Sequence, residues 1–124
     1  MVMVADTANW SQESGLEGCD TVVIAFSAHG TPQGAFEFRG QLEGLSAGQI
    51  LVNTPEKDCF LGGIPGYGST MDETLETLRA KIGDAKVLTL GSGIGAYAAI
   101  YYGIKLKAAR IMAFAPVLTL DTAM

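Results

Sequence analysis

The chain is poor in the residues that build metal centres, redox pairs and disulfide frameworks, with two cysteines and one histidine among 124 residues. Cys19 and Cys59 fall in no CxxC or His–Cys spacing, so neither a zinc site nor a dithiol pair is suggested. Both are expected to be small buried hydrophobes. Long apolar runs are missing as well. No stretch approaches the ~20 residues that carry a helix across a bilayer, and "MVMVADTANW" lacks the charged start and extended apolar region of a secretory leader. A cytoplasmic protein without a membrane partner is the expectation. Basic residues are few and dispersed, eight against thirteen acids for a net charge of −5. Nucleic acid is therefore disfavoured as a partner, because its binding needs clustered cations that release counterions. Lys105, Lys107 and Arg110 form the one local group, read as a helix C-terminus complementing its dipole.

What the chain does have is apolar surface to bury. Its hydrophobic fraction is 48%, its charged fraction 17% and its mean hydropathy +0.28, values too apolar for a disordered chain. The length fits a single domain over 1–124, with a core from about 20 to 120, burying roughly two-thirds of the surface of the unfolded chain. The surplus apolar surface leads us to expect a homodimer or larger assembly.

Along the chain, "DTVVIAFS" (Asp20 to Ser27) is a β-branched run ending in the turn-prone "AHGTPQG", which predicts a buried strand and a loop. "FEFRGQLEGL" is ambiguous, with a short helix as one reading. "GQILVNTP" is a second strand, stopped by Pro55, and the glycine-rich "CFLGGIPGYGS" is a loop. In "STMDETLETLRAKIG" apolar residues recur at Met71, Leu75, Leu78 and Ile82, behind an N-cap at Ser69 or Thr70 and ahead of Gly83. "AKVLTLG" predicts a third strand, "IGAYAAIYYGIKL" a second helix and "AARIMAFAPV" a fourth strand stopped by Pro116. Alternating strands and helices imply crossovers and a mostly parallel sheet, with ligand positions beyond the strand C-termini, after Ser27, after Val52 and at Gly91.

The bend inside "VLTLGSGIGAYAAIYYG" admits two chemistries. Gly91, Gly93 and Ala96 match G-x-G-x-x-A, the pattern in which backbone N–H groups and a helix N-terminus hold a pyrophosphate. Such a site also wants an acid at the end of the next strand, where this chain has "AFAPV". A nucleotide- or phosphate-binding domain is thus kept as an alternative.

The segments "AFSAHG", "LGGIPG", "GSGIGAYAA" and "MAFAP", in this order, carry a resemblance to the core of the α/β-hydrolase superfamily, and within it to bacterial hydrolase-like domains, over about Thr21 to Leu120. The resemblance implies a three-layer α/β/α sandwich with a mostly parallel sheet of four or five strands. It places Gly91 and Gly95 on the flanking glycines of a nucleophile elbow and Gly93 on the nucleophile itself. A glycine has no group to attack a carbonyl. Ser92 is adjacent and is the remaining candidate nucleophile. The family order of serine, acid and histidine finds only Asp121 after the elbow, and the one histidine, His29, lies upstream. "HG" at His29 is similar to an oxyanion loop, whose backbone N–H near Thr31 pairs with the N–H after the nucleophile, here Ile94. A local hydrogen bond of a loop histidine competes with this role.

The expectation is consequently a non-catalytic hydrolase-like binding or assembly module. Its pocket over His29, Thr31, Gly93 and Ile94 is expected to take a small carboxylate or carbonyl ligand, with no cofactor and no metal. The alternative is a shortened or altered serine hydrolase, an esterase or acyl hydrolase lacking its nucleophile and C-terminal triad members. Tyr67 is expected to pack on the core beneath its loop, Trp10 to cover a sheet edge or subunit interface, and Tyr97 and Tyr101 to share a helix face.

Overall fold

The structure, a computed structural model, describes residues 10–27, 35–36, 38–42, 44–54, 60–64 and 66–114. Its strands are β1 (Ser11–Ser14), β2 (Thr21–Phe26), β3 (Gly48–Val52), β4 (Lys86–Ser92) and β5 (Arg110–Phe114); its helices are α1 (Arg39–Leu42), α2 (Met71–Ile82) and α3 (Ile94–Lys105). This is a mixed α/β fold around one five-stranded sheet in the order β1-β3-β2-β4-β5. The strands β2 to β5 pair in parallel, and β1 runs antiparallel on the edge of β3. Pro55, Cys59, Pro116 and Asp121 lie outside the described residues.

The apolar run of β2 is buried on both faces because each face of the sheet is covered. Alternate residues Val22, Ile24 and Phe26 join Ile50 and Val52 in one cluster with Leu75, Leu78 and Ile82 of α2 and Ala98, Ala99 and Tyr102 of α3. The intervening Val23 and Ala25 join Leu51 and Leu90 on the other face, against Phe36 and Leu42. Small residues let α3 lie close to the sheet. A Cβ on Gly103 would meet Thr89 Oγ1 and Ile111 Cγ1 at 2.7 Å, and Thr89 Oγ1 donates to the Ala99 carbonyl at 2.7 Å.

Helix α2 begins and ends as its sequence predicts. Thr70 is the N-cap, its Oγ1 accepting from Glu73 N at 3.1 Å, and Gly83 closes the helix at φ 61°. The Glu73 carboxylate accepts from Ser69 N (2.9 Å) and Ser69 Oγ (3.0 Å), which holds its pKa below the ordinary value.

Several expectations need correction. Strand β1 was not legible, because "SQES" is polar throughout; its side chains are largely exposed and its place depends on the ladder to β3. Cys19 is half-buried, with Sγ donating to the Leu16 carbonyl at 3.1 Å, so it is not a fully buried hydrophobe. Arg110 opens β5 and is not part of a helix terminus; Lys105 alone of that group is helical. Trp10 is half-buried beside β1, its carbonyl accepting from Asn53 N at 2.8 Å. Tyr97 and Tyr101 do share a face, with ring centroids 6.1 Å apart.

Tyr67 is buried as expected, and its hydroxyl donates to the Glu13 carboxylate on β1. Lys81 of α2 reaches the same carboxylate at 3.2 Å and stands 5.6 Å over the Tyr67 ring. Burial first, then the hydrogen bond and the negative charge of Glu13, push the Tyr67 pKa far up. A raised folded pKa contributes stability that is complete below the unfolded value of about 10 and is lost as pH rises beyond it. Denaturant midpoints measured between neutral and strongly alkaline pH are expected to fall above about pH 10, and to fall less steeply in Tyr67→Phe; identical alkaline slopes would contradict this.

Candidate functional site

Strand β3 lies on one side of β2 and β4 on the other, so the chain reverses its direction of travel across the sheet at β2 and β4. In doubly wound sheets the crevice outside the carboxyl ends of such a pair is where ligands bind. Phe26 of β2 faces Gly91 of β4 in the register, and the turn from β4 into α3 therefore stands over this crevice.

The turn requires glycine at three alternate positions for two different reasons. Gly93 adopts φ 59°, ψ −126°, a combination that side chains rarely adopt. Gly91 and Gly95 are fixed by contact instead. A Cβ on Gly91 would lie 2.1 Å from the Gly95 carbonyl oxygen, and one on Gly95 would lie 2.3 Å from Phe26 O and 2.8 Å from Ser27 O. The first turn of α3 is thus pressed against the ends of both β4 and β2. Gly93 N–H donates to Phe114 O of β5 at 3.2 Å, and Ala96 N–H returns to Gly93 O at 3.1 Å. One tight corner ties three strands to one helix.

Of the expected site residues, Gly93 and Ile94 stand at this corner, Ile94 as the half-buried first residue of α3. Ser92 is the last residue of β4, half-buried and opposite Phe114 in the register. His29 and Thr31 lie outside the described residues. Around the same end of the sheet are three buried polar residues, Ser27, Asn53 and Thr54, at the two strand ends where the sequence places loops. Ser27 donates its N–H to Val52 O at 3.0 Å, and Thr54 N–H donates to Asn53 Oδ1 at 2.8 Å. Asn53, 1% exposed, also reaches the Ala35 carbonyl with Nδ2 at 3.4 Å. Their sequence signal was a switch from apolar to polar residues at the ends of both strands.

The chemistry available at the corner is that of backbone groups and a helix N-terminus, which favour negative charge. Position 93 supplies no side-chain atom. For the dinucleotide alternative, β5 offers no carboxylate along Arg110–Phe114 to take ribose hydroxyls. Among the described residues no group of three or more His, Cys, Asp or Glu side chains could hold a metal ion, and no helix is long and apolar enough to cross a membrane.

Comparison with known proteins gives no relative: no protein-family model, no curated protein and no solved structure matches this chain.

The two contact glycines and a control generate a stability test. Gly91→Ala and Gly95→Ala are each expected to lower unfolding free energy by about 1–3 kcal/mol or to prevent folding. Gly40→Ala in α1, where a Cβ meets nothing within 4 Å, is expected to stay within about 0.5 kcal/mol of the parent. Denaturant melts followed by far-UV circular dichroism give the comparison.

Proposed function

We propose that this chain is a non-catalytic binding or assembly module of α/β-hydrolase-like, three-layer architecture, which keeps the shape of a nucleophile elbow without the nucleophile. The observation that carries this reading is Gly93, at φ 59° and ψ −126° in a strand-to-helix corner whose neighbours Gly91 and Gly95 admit no Cβ. A G-x-S-x-G elbow needs this arrangement, with a strained central residue exposed at the top of a sheet and glycines on both sides where backbones meet. Helices α2 and α3 on one face and Phe36, Phe38 and Leu42 on the other are consistent with the layered architecture. Without an Oγ at position 93, acyl transfer has no covalent step there. The backbone at Gly93 and Ile94 is left as a place for a small carboxylate or carbonyl oxygen, with His29 and Thr31 contributing on the strength of the sequence alone.

Gly93→Ser tests the reading. A side chain at this φ and ψ costs about 1–3 kcal/mol, so the variant is expected to fold with reduced stability. It is expected to show neither turnover of short acyl esters nor labelling by a fluorophosphonate. Turnover by Gly93→Ser would make the chain an altered serine hydrolase, and labelling of the unsubstituted chain would assign a nucleophile to Ser92. Titration with acetate is expected to shift the Ile94 amide resonance; an unmoved resonance would remove the ligand part of the proposal.

A further inference from the structure

The two edges of the sheet differ in kind. Strand β1 ends the sheet with "SQES", a polar strand of the sort that discourages pairing with another chain. Strand β5 ends it with "RIMAF", in which Ile111, Met112 and Ala113 are half-buried and Phe114 is 50% exposed. Among the described residues β5 pairs with β4 alone, and no charge stands between Ile111 and Phe114 to guard the edge. The covering of its two faces is also uneven. Met112 is only partly buried at the margin of the Phe36–Leu42 cluster, and Phe114 touches Phe38 at a ring-centroid distance of 6.2 Å.

We infer that β5 is the interface through which two copies of this chain associate, by antiparallel pairing of β5 with β5 about a two-fold axis at Met112. The residues of the strand select this partner and this register. A two-fold axis perpendicular to the sheet keeps the helical layers of both copies on the same side, so only residues of equal parity can face one another. Centring the axis on Met112 brings all five residues of β5 into the ladder; moving it by one residue either way leaves part of the strand unpaired.

In that register each Arg110 lies opposite Phe114 of the second copy, a guanidinium beside an aromatic ring at both ends of the interface. Ile111 lies opposite Ala113, large against small, and Met112 meets its own copy on the axis, where a flexible thioether adapts to close packing. The two Arg110 charges are held at opposite ends. Arg110 forms no salt bridge among the described residues, so the pairing does not compete with an existing one. The contact is isologous and closed, and it joins two five-stranded sheets into one continuous sheet with polar β1 strands at both outer edges. The polar edges are what limit growth to two copies.

Sedimentation velocity over a dilution series tests the inference, with charge substitutions at the exposed end of the strand to read the register. The unsubstituted chain is expected to sediment as a dimer that dissociates on dilution. Met112→Lys brings two ammonium groups together on the axis and is expected to be monomeric. Phe114→Glu sets a carboxylate against Arg110 of the second copy and is expected to remain dimeric, whereas Phe114→Lys opposes two cations and is expected to be monomeric. Circular dichroism of each variant separates dissociation from unfolding, and a variant that does not fold is replaced by Ala113→Lys, also expected to be monomeric. A monomeric parent at every concentration, a dimer indifferent to Met112→Lys, equal behaviour of Phe114→Glu and Phe114→Lys, or open-ended polymers would each overturn the proposal.

Discussion

The backbone of Gly95 rests on the carbonyl oxygens of Phe26 and Ser27, and the backbone of Gly91 rests on the carbonyl of Gly95; most of the sheet's helical cover depends on this pair of approaches. With no Cβ at either position, α3 starts immediately beyond β4 and crosses the end of β2 at van der Waals distance. The helix is then carried down the sheet near enough for Ala98 and Ala99 to be fully buried and for Gly103 to pass over Thr89 and Ile111. A larger residue at any of these places would lift the helix and uncover Tyr102. That side chain is fully buried between α3 and the loop before α2, its hydroxyl donating to Phe60 O at 2.6 Å and its ring 5.2 Å from that of Phe26. One corner therefore sets the height of a whole layer. The same corner places positions 93 and 94 over the crevice between β2 and β4, so what packs the fold and what presents the candidate site are one piece of backbone.

Much of this was legible because the physical causes are local. The alternation of apolar runs with helical periodicity predicted β2 to β5, α2 and α3, and the caps at Thr70 and Gly83 fell where their hydrogen-bonding chemistry requires. The spacing of Gly91, Gly93 and Gly95 foretold a sharp strand-to-helix corner. It could not separate two glycines required by contact from one required by its dihedral angles, since that distinction belongs to the tertiary structure. Strand β1 was illegible for a different reason. An edge strand exposed on both sides carries no periodic apolar signal, and "SQES" is held by ladder bonds to β3 and by Glu13 reaching Tyr67 and Lys81, partners more than fifty residues away in the chain. The burial of Asn53 is not written in its residue type, because a buried amide looks, in sequence, like an ordinary loop residue.

Absence of a side chain at position 93 and the positive φ of the corner belong together. A glycine adopts positive φ at little cost, so the corner keeps its shape without the destabilisation that a side chain there would bring. In the reading proposed above, the corner has the shape of a nucleophile elbow in a form that glycine adopts at little cost. Binding through backbone groups, or the use of the sheet as an assembly platform through its less protected edge, are uses of the fold that such a glycine does not impair. At the same end of the sheet the buried Asn53 accepts from Thr54 N with Oδ1, and Ser27 N–H donates to Val52 O.

The shape of residues 91–95 is the claim on which the functional reading stands, and solution NMR tests it most directly. The expected result is a positive φ for Gly93 from its amide–Hα couplings, together with a nuclear Overhauser contact from a Gly91 Hα to the Ala96 amide, whose nitrogen lies 3.0 Å from where a Cβ on Gly91 would stand. Uninterrupted helical amide-to-amide contacts from Gly91 through Gly95, with a negative φ at Gly93, would contradict it.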